Sequence, residues 1–194
     1  MMRPALLSLF LAVLLAACAS PQASFYRLSA DPSLAATAAR TNSRPVIVGP
    51  VTVPELVDRP QIVTRNTNNE VAFNEYARWG APLNSGIADA IAGDLTLLLG
   101  SDRVAPASRA LADPQALRVR VDIQQFESVP GDAVTVDAHW SVRRFGDDNA
   151  LTGRSLVREP VGGGDWNALV AAHSRALASV SRDIAKAIQG GMPQ

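Results

Sequence analysis

Few side chains in this sequence could carry covalent, metal or proton-transfer chemistry. There is one cysteine, Cys18, two histidines, His139 and His173, and a single lysine, Lys186. The histidines stand at no metal-ligand spacing such as HxxxH or HExxH, so no metal is expected. No GxSxG elbow, SxxK pair or Walker loop occurs. Gly162-Gly163-Gly164 precedes a helix start but lacks both the GxGxxG spacing and a lysine, and it reads as a flexible connector. The acidic residues are scattered, with no recognisable glycosidase arrangement. His139 falls on the polar face of a strand, and His173 lies within a helical turn of Leu169 and Leu177. For both, a surface or boundary imidazole is the expectation. The sequence therefore predicts no enzyme and no cofactor; the rival from another class is a periplasmic hydrolase using an acidic pair or His139.

Cys18 is the chemically distinctive residue, because of what precedes it. Arg3 supplies a charged start, and Ala5 to Leu15 is a run of apolar and small residues broken only by Ser8. That run is shorter than the roughly 20 residues needed to span a bilayer. It ends in Leu15-Ala16-Ala17-Cys18, which resembles the lipobox of bacterial lipoproteins. There the thiol receives a diacylglycerol, the chain is cut before the cysteine, and the new amino terminus is acylated. The alternative is an incidental small residue in an ordinary signal peptide. With no second cysteine, Cys18 has no disulfide partner within the chain, and two or three acyl chains exceed what stable anchoring requires. Ala19 and Ser20 lack the aspartate that, by the same resemblance, retains lipoproteins in the inner membrane. The expected location is the periplasmic face of the outer membrane.

The chain has 194 residues, 47% of them hydrophobic and 19% charged, enough for one domain with its own core. Its 18 basic and 18 acidic residues balance, which leaves no general field to attract nucleic acid. Nearly all of the positive charge is guanidinium, suited to forked hydrogen bonds rather than to amine chemistry.

The elements that must position any site follow from periodicity. Phe25 to Leu28 is a short apolar strand, and Ser29 to Arg44 reads as a linker. Val46 to Val53 is a β-branched run bent at Gly49-Pro50. Gln61 to Arg65 and Glu70 to Asn74 flank an asparagine-rich turn and predict a hairpin. Pro82 opens a helix with Leu83, Ile87, Ile91, Leu95 and Leu98 on one side, closed by Gly100. Alternation over Leu117–Ile123, then Val134–Arg143, then a strand around Leu151–Val157, predicts three antiparallel strands in sequence. Asp165 is placed to cap a last helix, which Gly190-Gly191 stops. Two amphipathic helices need a sheet to cover. The expected division is a signal peptide over 1–17, a lipid-anchored tether over 18–44 with its strand at 25–28, and a domain over 45–190.

The stretch Val48-Gly49-Pro50-Val51-Thr52-Val53-Pro54-Glu55-Leu56-Val57-Asp58-Arg59-Pro60-Gln61-Ile62-Val63-Thr64-Arg65 resembles the PqiC-type family, the auxiliary lipoproteins of ABC-type transport. Agreement extends to Tyr26-Arg27-Leu28 and to Arg78-Trp79-Gly80-Ala81-Pro82-Leu83, which opens the first long helix. Gly80 departs from the alanine that similar proteins often carry there. The resemblance implies a three-layer α/β fold, a mixed β-sheet flanked by helices and similar to the TolB amino-terminal domain, with no catalytic residues to transfer. It also implies an outer-membrane partner of an MCE-type (mammalian cell entry) system that moves phospholipids across the periplasm and supports envelope integrity. A lipoprotein that activates or scaffolds another envelope machine, in cell-wall synthesis or outer-membrane assembly, is the alternative. Within the family stretch, Pro54 and Pro60 stiffen a loop that holds an apolar pair and a carboxylate beside a guanidinium. Glu55, Leu56, Asp58, Arg59 and Pro60, with Arg78 and Trp79, are the expected docking residues for the MCE-domain transport protein or a neighbouring copy of the chain. The competing expectation is a structural turn in which Asp58 and Arg59 pair and Trp79 plugs the sheet.

Replacing Cys18 with Ser removes the only thiol, so the precursor should fold yet stay unprocessed or mislocalised. Membrane fractionation checks this: Cys18→Ser protein that still travelled, processed, with the outer membrane would show that the lipid is not what holds it there.

Overall fold

The computed structural model describes residues 22–36, 44–144, 146–147 and 149–191. Cys18 and the signal segment lie outside the described residues. The strands divide between two sheets. The smaller joins β1 (Ser24–Tyr26), β4 (Val71–Trp79) and β3 (Gln61–Arg65) in that order, with β1 parallel and β3 antiparallel to β4. The larger runs β5 (Val104–Pro106), β2 (Val46–Thr52), β6 (Leu117–Ser128), β7 (Ala133–Arg144), β8 (Ala150–Pro160). In it β2 is parallel to both neighbours, and β6 to β8 form the expected antiparallel meander. The mixed α/β class read from the sequence is what the chain adopts.

Helix α1 (Leu83–Leu99) begins after Pro82, whose carbonyl accepts the Gly86 N–H, and ends at Gly100, in the left-handed region at φ 58°. Glycine carries no Cβ penalty there. Helix α2 (Trp166–Gly191) is capped as expected: the Asp165 carboxylate accepts the Ala168 N–H at 2.7 Å. The helices pack on each other; α1 covers β2 and β5, and α2 covers β7 and β8. Ile87, Ile91 and Leu95 meet Val119, Val121, Val136, Leu177 and Ile184 in one core cluster, all fully buried. The opposite face of the larger sheet carries exposed Arg120, His139 and Arg154. Between Ile123 and Gln125 the β6–β7 register slips, so Phe126 and Ser128 continue the buried row begun by Val119, Val121 and Ile123. One extra residue changes which parity points inward.

Two expectations are corrected. Arg78 and Trp79 do not open the helix; they end β4, which runs five residues past Asn74. Asn74 makes this possible by accepting the Tyr76 and Ala77 N–H groups in a bulge. The start of the supposed linker is not free either. Leu28 and Leu34 are buried, and the backbone from Leu28 to Asp31 forms a strap laid on both helices. The Ser29 N–H donates to Ser174 Oγ on α2 at 3.3 Å, and the Asp31 N–H donates to Asp94 Oδ1 on α1 at 2.9 Å. The apolar content of this segment is too sparse to show periodicity, which is why it reads as linker. Strand β5, only three residues long, carries no sequence signal of its own.

The strap explains a glycine inside α1, where glycine costs about 1 kcal/mol against alanine. A Cβ on Gly93 would stand 2.8 Å from the Ala30 Cβ, whereas one on Gly86 would meet only Leu28 Cδ1 at an ordinary 3.8 Å. Helix propensity favours alanine at both positions. Gly86→Ala should therefore raise stability by about 0.5–1 kcal/mol, while Gly93→Ala should lower it and speed proteolysis near Leu28 to Ala30. Paired urea melts with limited proteolysis read this out; a gain in both variants would mean the strap does not press on α1.

Candidate docking site

The Pro54–Pro60 loop is a closed turn. The Pro54 carbonyl accepts the N–H groups of Val57 at 3.0 Å and Asp58 at 3.1 Å, the Val57 carbonyl accepts that of Arg59 at 2.8 Å, and the Pro60 carbonyl accepts that of Trp79 at 2.7 Å. Val57 is buried, which leaves Glu55, Leu56, Asp58 and Pro60 at the surface, Leu56 with 46% of its area exposed. Under the loop, where β3 passes the end of β6, lies an apolar cavity of about 150 Å³ bordered by Pro54, Leu56, Val57, Val63, Val71 and Phe126. An ion pair crosses its rim: Arg65 Nε donates to Glu127 Oε1 at 2.7 Å and Nη2 to Oε2 at 3.2 Å. The two-pronged geometry ties the smaller sheet to the larger.

Arg59 is half-buried and lies over the Phe73 ring, 4.2 Å from its centre. The expected Asp58–Arg59 pair is replaced by this cation–π contact, in which an aromatic face receives a weakly hydrated guanidinium. Arg78 turns outward and binds Glu75, through Nε to the carbonyl at 2.8 Å and through Nη2 to the carboxylate at 2.8 Å; Gln61 reaches the same carboxylate. The structure thus gathers Glu55, Leu56, Asp58, Arg59, Pro60 and Arg78 around one end of the smaller sheet. Trp79 is the exception. Its side chain is 7% exposed and points into the core, edge-on to Phe126 and His173 with ring centres 6.3 Å away in each case. Alternation along β4 puts residue 79 on the inner face and residue 78 on the outer. The indole therefore braces the site from behind and presents no surface to a partner.

The sequence reading missed three exposed aromatics here, Phe25, Phe73 and Tyr76. Phe73 is in the predicted hairpin, but only the Arg59 contact shows which way it faces. It also misplaced His173, which is fully buried. The ring stacks on Phe126 at 4.1 Å, and its Nε2 is 2.8 Å from Ser128 Oγ. Burial pushes its pKa down to about 3, and Nδ1 has no hydrogen-bond partner. This Ser–His pair is buried and, with Nδ1 unpartnered, has no third group to orient it as a base. His139 is exposed, as expected, on the open face of the larger sheet opposite Asp122 and Arg154.

A family model described as an ABC-type transport auxiliary lipoprotein component matches residues 26–185. The chain belongs to that family. The matched span starts in β1 and ends within α2, so it takes in the strap, both sheets and the loop. Two crystal structures are similar. One, of an uncharacterised protein, has a TM-score of 0.70 and 18% identity, covering 86% of this chain and 99% of that one. The other, a protein from Xanthomonas campestris, has a TM-score of 0.61 and 19% identity, covering 86% and 93%. At these identities they share the fold. No curated protein sequence matches. Among the described residues, no helix is long and apolar enough to cross a membrane, and no cluster of His, Cys, Asp or Glu could hold a metal ion.

Two buried titratable groups brace this structure with opposite pH dependence. Burial pushes the Asp94 carboxyl up to about 6 from 3.8, against the opposing pull of the Asp31 N–H and the Ser181 hydroxyl. The folded protein therefore binds a proton at Asp94 that the unfolded chain lacks between about 6 and 3.8, and this term strengthens folding as pH falls. His173 does the reverse: unfolded it takes a proton below 6.5, folded not until about 3, so its contribution is complete above 6.5 and lost as pH falls toward 3. Each slope is about 1.4 kcal/mol per pH unit, and the two offset each other where the windows overlap. In Asp94→Asn the His173 slope stands alone. Urea melts across that overlap should show the variant losing about 1.4 kcal/mol per unit relative to wild type as pH falls; parallel profiles would contradict the assignment.

Proposed function

We propose that the protein is a non-enzymatic, lipid-anchored component of an MCE-type intermembrane phospholipid transport system. It is held on the periplasmic face of the outer membrane by acyl chains on Cys18 and docks the periplasmic end of the transport conduit. The observation that carries this reading is the Pro54–Pro60 loop, a hydrogen-bonded turn that holds Leu56 outward beside an apolar cavity. A loop already fixed in shape loses little conformational freedom on association. Membership of a transport auxiliary lipoprotein family supports the setting, and the lone cysteine of the precursor supports the anchor. The burial of the Ser128–His173 pair supports a role without turnover.

Leu56→Asp tests the docking role with modest risk to the fold, since the residue is 46% exposed at the edge of the cavity. The expected result is normal lipidation, an unchanged melting temperature, and co-purification with the MCE-domain protein reduced at least tenfold. Undiminished recovery of the partner would remove the loop from the interface.

A further inference from the structure

Among the described residues, seven large hydrophobic side chains are exposed, and five of them belong to the smaller sheet or the loop that enters it. Leu56 and Val71 border the cavity assigned above. The remaining three, Phe25 at 68%, Phe73 at 42% and Tyr76 at 51%, are all aromatic and sit on β1 and β4. They line no part of that cavity and so need a separate account. The two exposed apolar residues elsewhere, Leu111 after β5 and Leu156 on β8, lie apart from this sheet.

The tether decides what lies opposite these aromatics. Ser24 follows Cys18 by six residues, a span of at most about 20–22 Å when fully extended. β1 cannot lengthen that reach by peeling away at low cost. It pairs with β4 from Ser24 to Tyr26, the Tyr26 carbonyl accepts the Gly80 N–H at 2.8 Å, and the strap that follows is clamped to both helices. A thiol carrying acyl chains thus keeps the aromatic rim within a few residues' length of the lipid headgroups.

We propose that this rim, carrying Phe25, Phe73 and Tyr76, rests on the surface of the phospholipid bilayer that holds Cys18. The proposal builds on the lipid-anchor reading above. Aromatic rings suit the boundary between headgroups and acyl chains, and guanidinium groups pair with phosphates there. Arg27 is exposed next to Phe25. A bilayer also needs no shape complementarity, which fits a rim interrupted by the Asn74 bulge. Contact at this rim turns a point attachment into an orientation, and the Pro54–Pro60 loop at the other edge of the same sheet is then held at a set height.

The experiment uses the full mature lipoprotein in vesicles of phosphatidylethanolamine and phosphatidylglycerol. Phe73→Cys and Tyr76→Cys, with Leu111→Cys and Leu156→Cys as references, are labelled with an environment-sensitive fluorophore, Cys18 being blocked by its lipid. The expected result is quenching by brominated lipid at positions 73 and 76 at least twofold stronger than at 111 and 156. Equal quenching at all four positions, or none at 73 and 76, overturns the proposal while the anchor stands. Labels shielded at 73 and 76 only when the transport partner is added would assign the rim to a protein instead. If intact mass shows Cys18 without acyl chains and the protein fails to float with vesicles, the anchor reading falls and this one with it.

Discussion

Asp94 is buried where α1, α2 and the amino-terminal strap meet, and its two oxygens find partners only when all three are in place. Oδ1 accepts the Asp31 N–H from the strap, and Oδ2 lies 3.0 Å from the Ser181 hydroxyl on α2. Ser181 has one proton and also approaches the Leu177 carbonyl at 2.9 Å. While Asp94 is ionised that one proton is shared between Oδ2 and the Leu177 carbonyl; below about pH 6, where Asp94 takes up a proton, the carboxyl can donate to Ser181 and free its hydroxyl for Leu177. Burial raises the carboxyl, and the Asp31 N–H and the Ser181 hydroxyl pull against it. Removing the strap would leave a buried carboxylate short of a donor, a penalty of about 1–3 kcal/mol. That penalty makes the amino-terminal segment part of the domain rather than a leash.

The second support lies at the other end of the helix pair, where Trp79, Phe126 and His173 bring together a strand of the smaller sheet, a strand of the larger one and α2. Each aromatic contact contributes about 0.5–1.5 kcal/mol beyond its buried area. More important is their direction, since three rings from three elements fix the angle at which the smaller sheet leaves the body. The Arg65–Glu127 pair closes the outer side of the same junction. The Pro54–Pro60 loop is thus seated on a sheet braced from within and from without.

What the sequence made legible were features with a local cause. The two helices followed from apolar spacing and from Pro82, Gly100 and Asp165 at their ends; the meander followed from period-two alternation between turn residues. The closed Pro54–Pro60 turn was legible through its prolines. Trp79 was not, because whether an aromatic at the end of a strand faces in or out depends on parity set by a bulge at Asn74, which has no distinctive sequence mark. His173 was misjudged for a related reason: its neighbours on α2 showed an apolar stripe, but only the tertiary fold brings Ser128, 45 positions earlier, to its Nε2. The strap was invisible because its signal is distributed, with a glycine and an aspartate on one helix, a serine on the other and two leucines in a polar segment.

The smaller sheet has only three strands, with the amino-terminal β1 at one edge and β3, which the Pro54–Pro60 loop enters, at the other. In the order β1, β4, β3, those edges are separated by two strand spacings, about 10 Å. A displacement of β1 must therefore be transmitted to β3 almost undiminished, because hydrogen-bonded strands move together and both are fastened to the same core. Had the loop been carried by β8, at the far edge of the larger sheet, the helices and four further strands would lie between it and β1. Placing both on one short, doubly braced sheet makes the position of the loop depend on few bonds. The strap, the Asp94 contact and the buried Trp79 are those bonds, and they give Asp94, Ser181 and His173 a structural reason to be buried there.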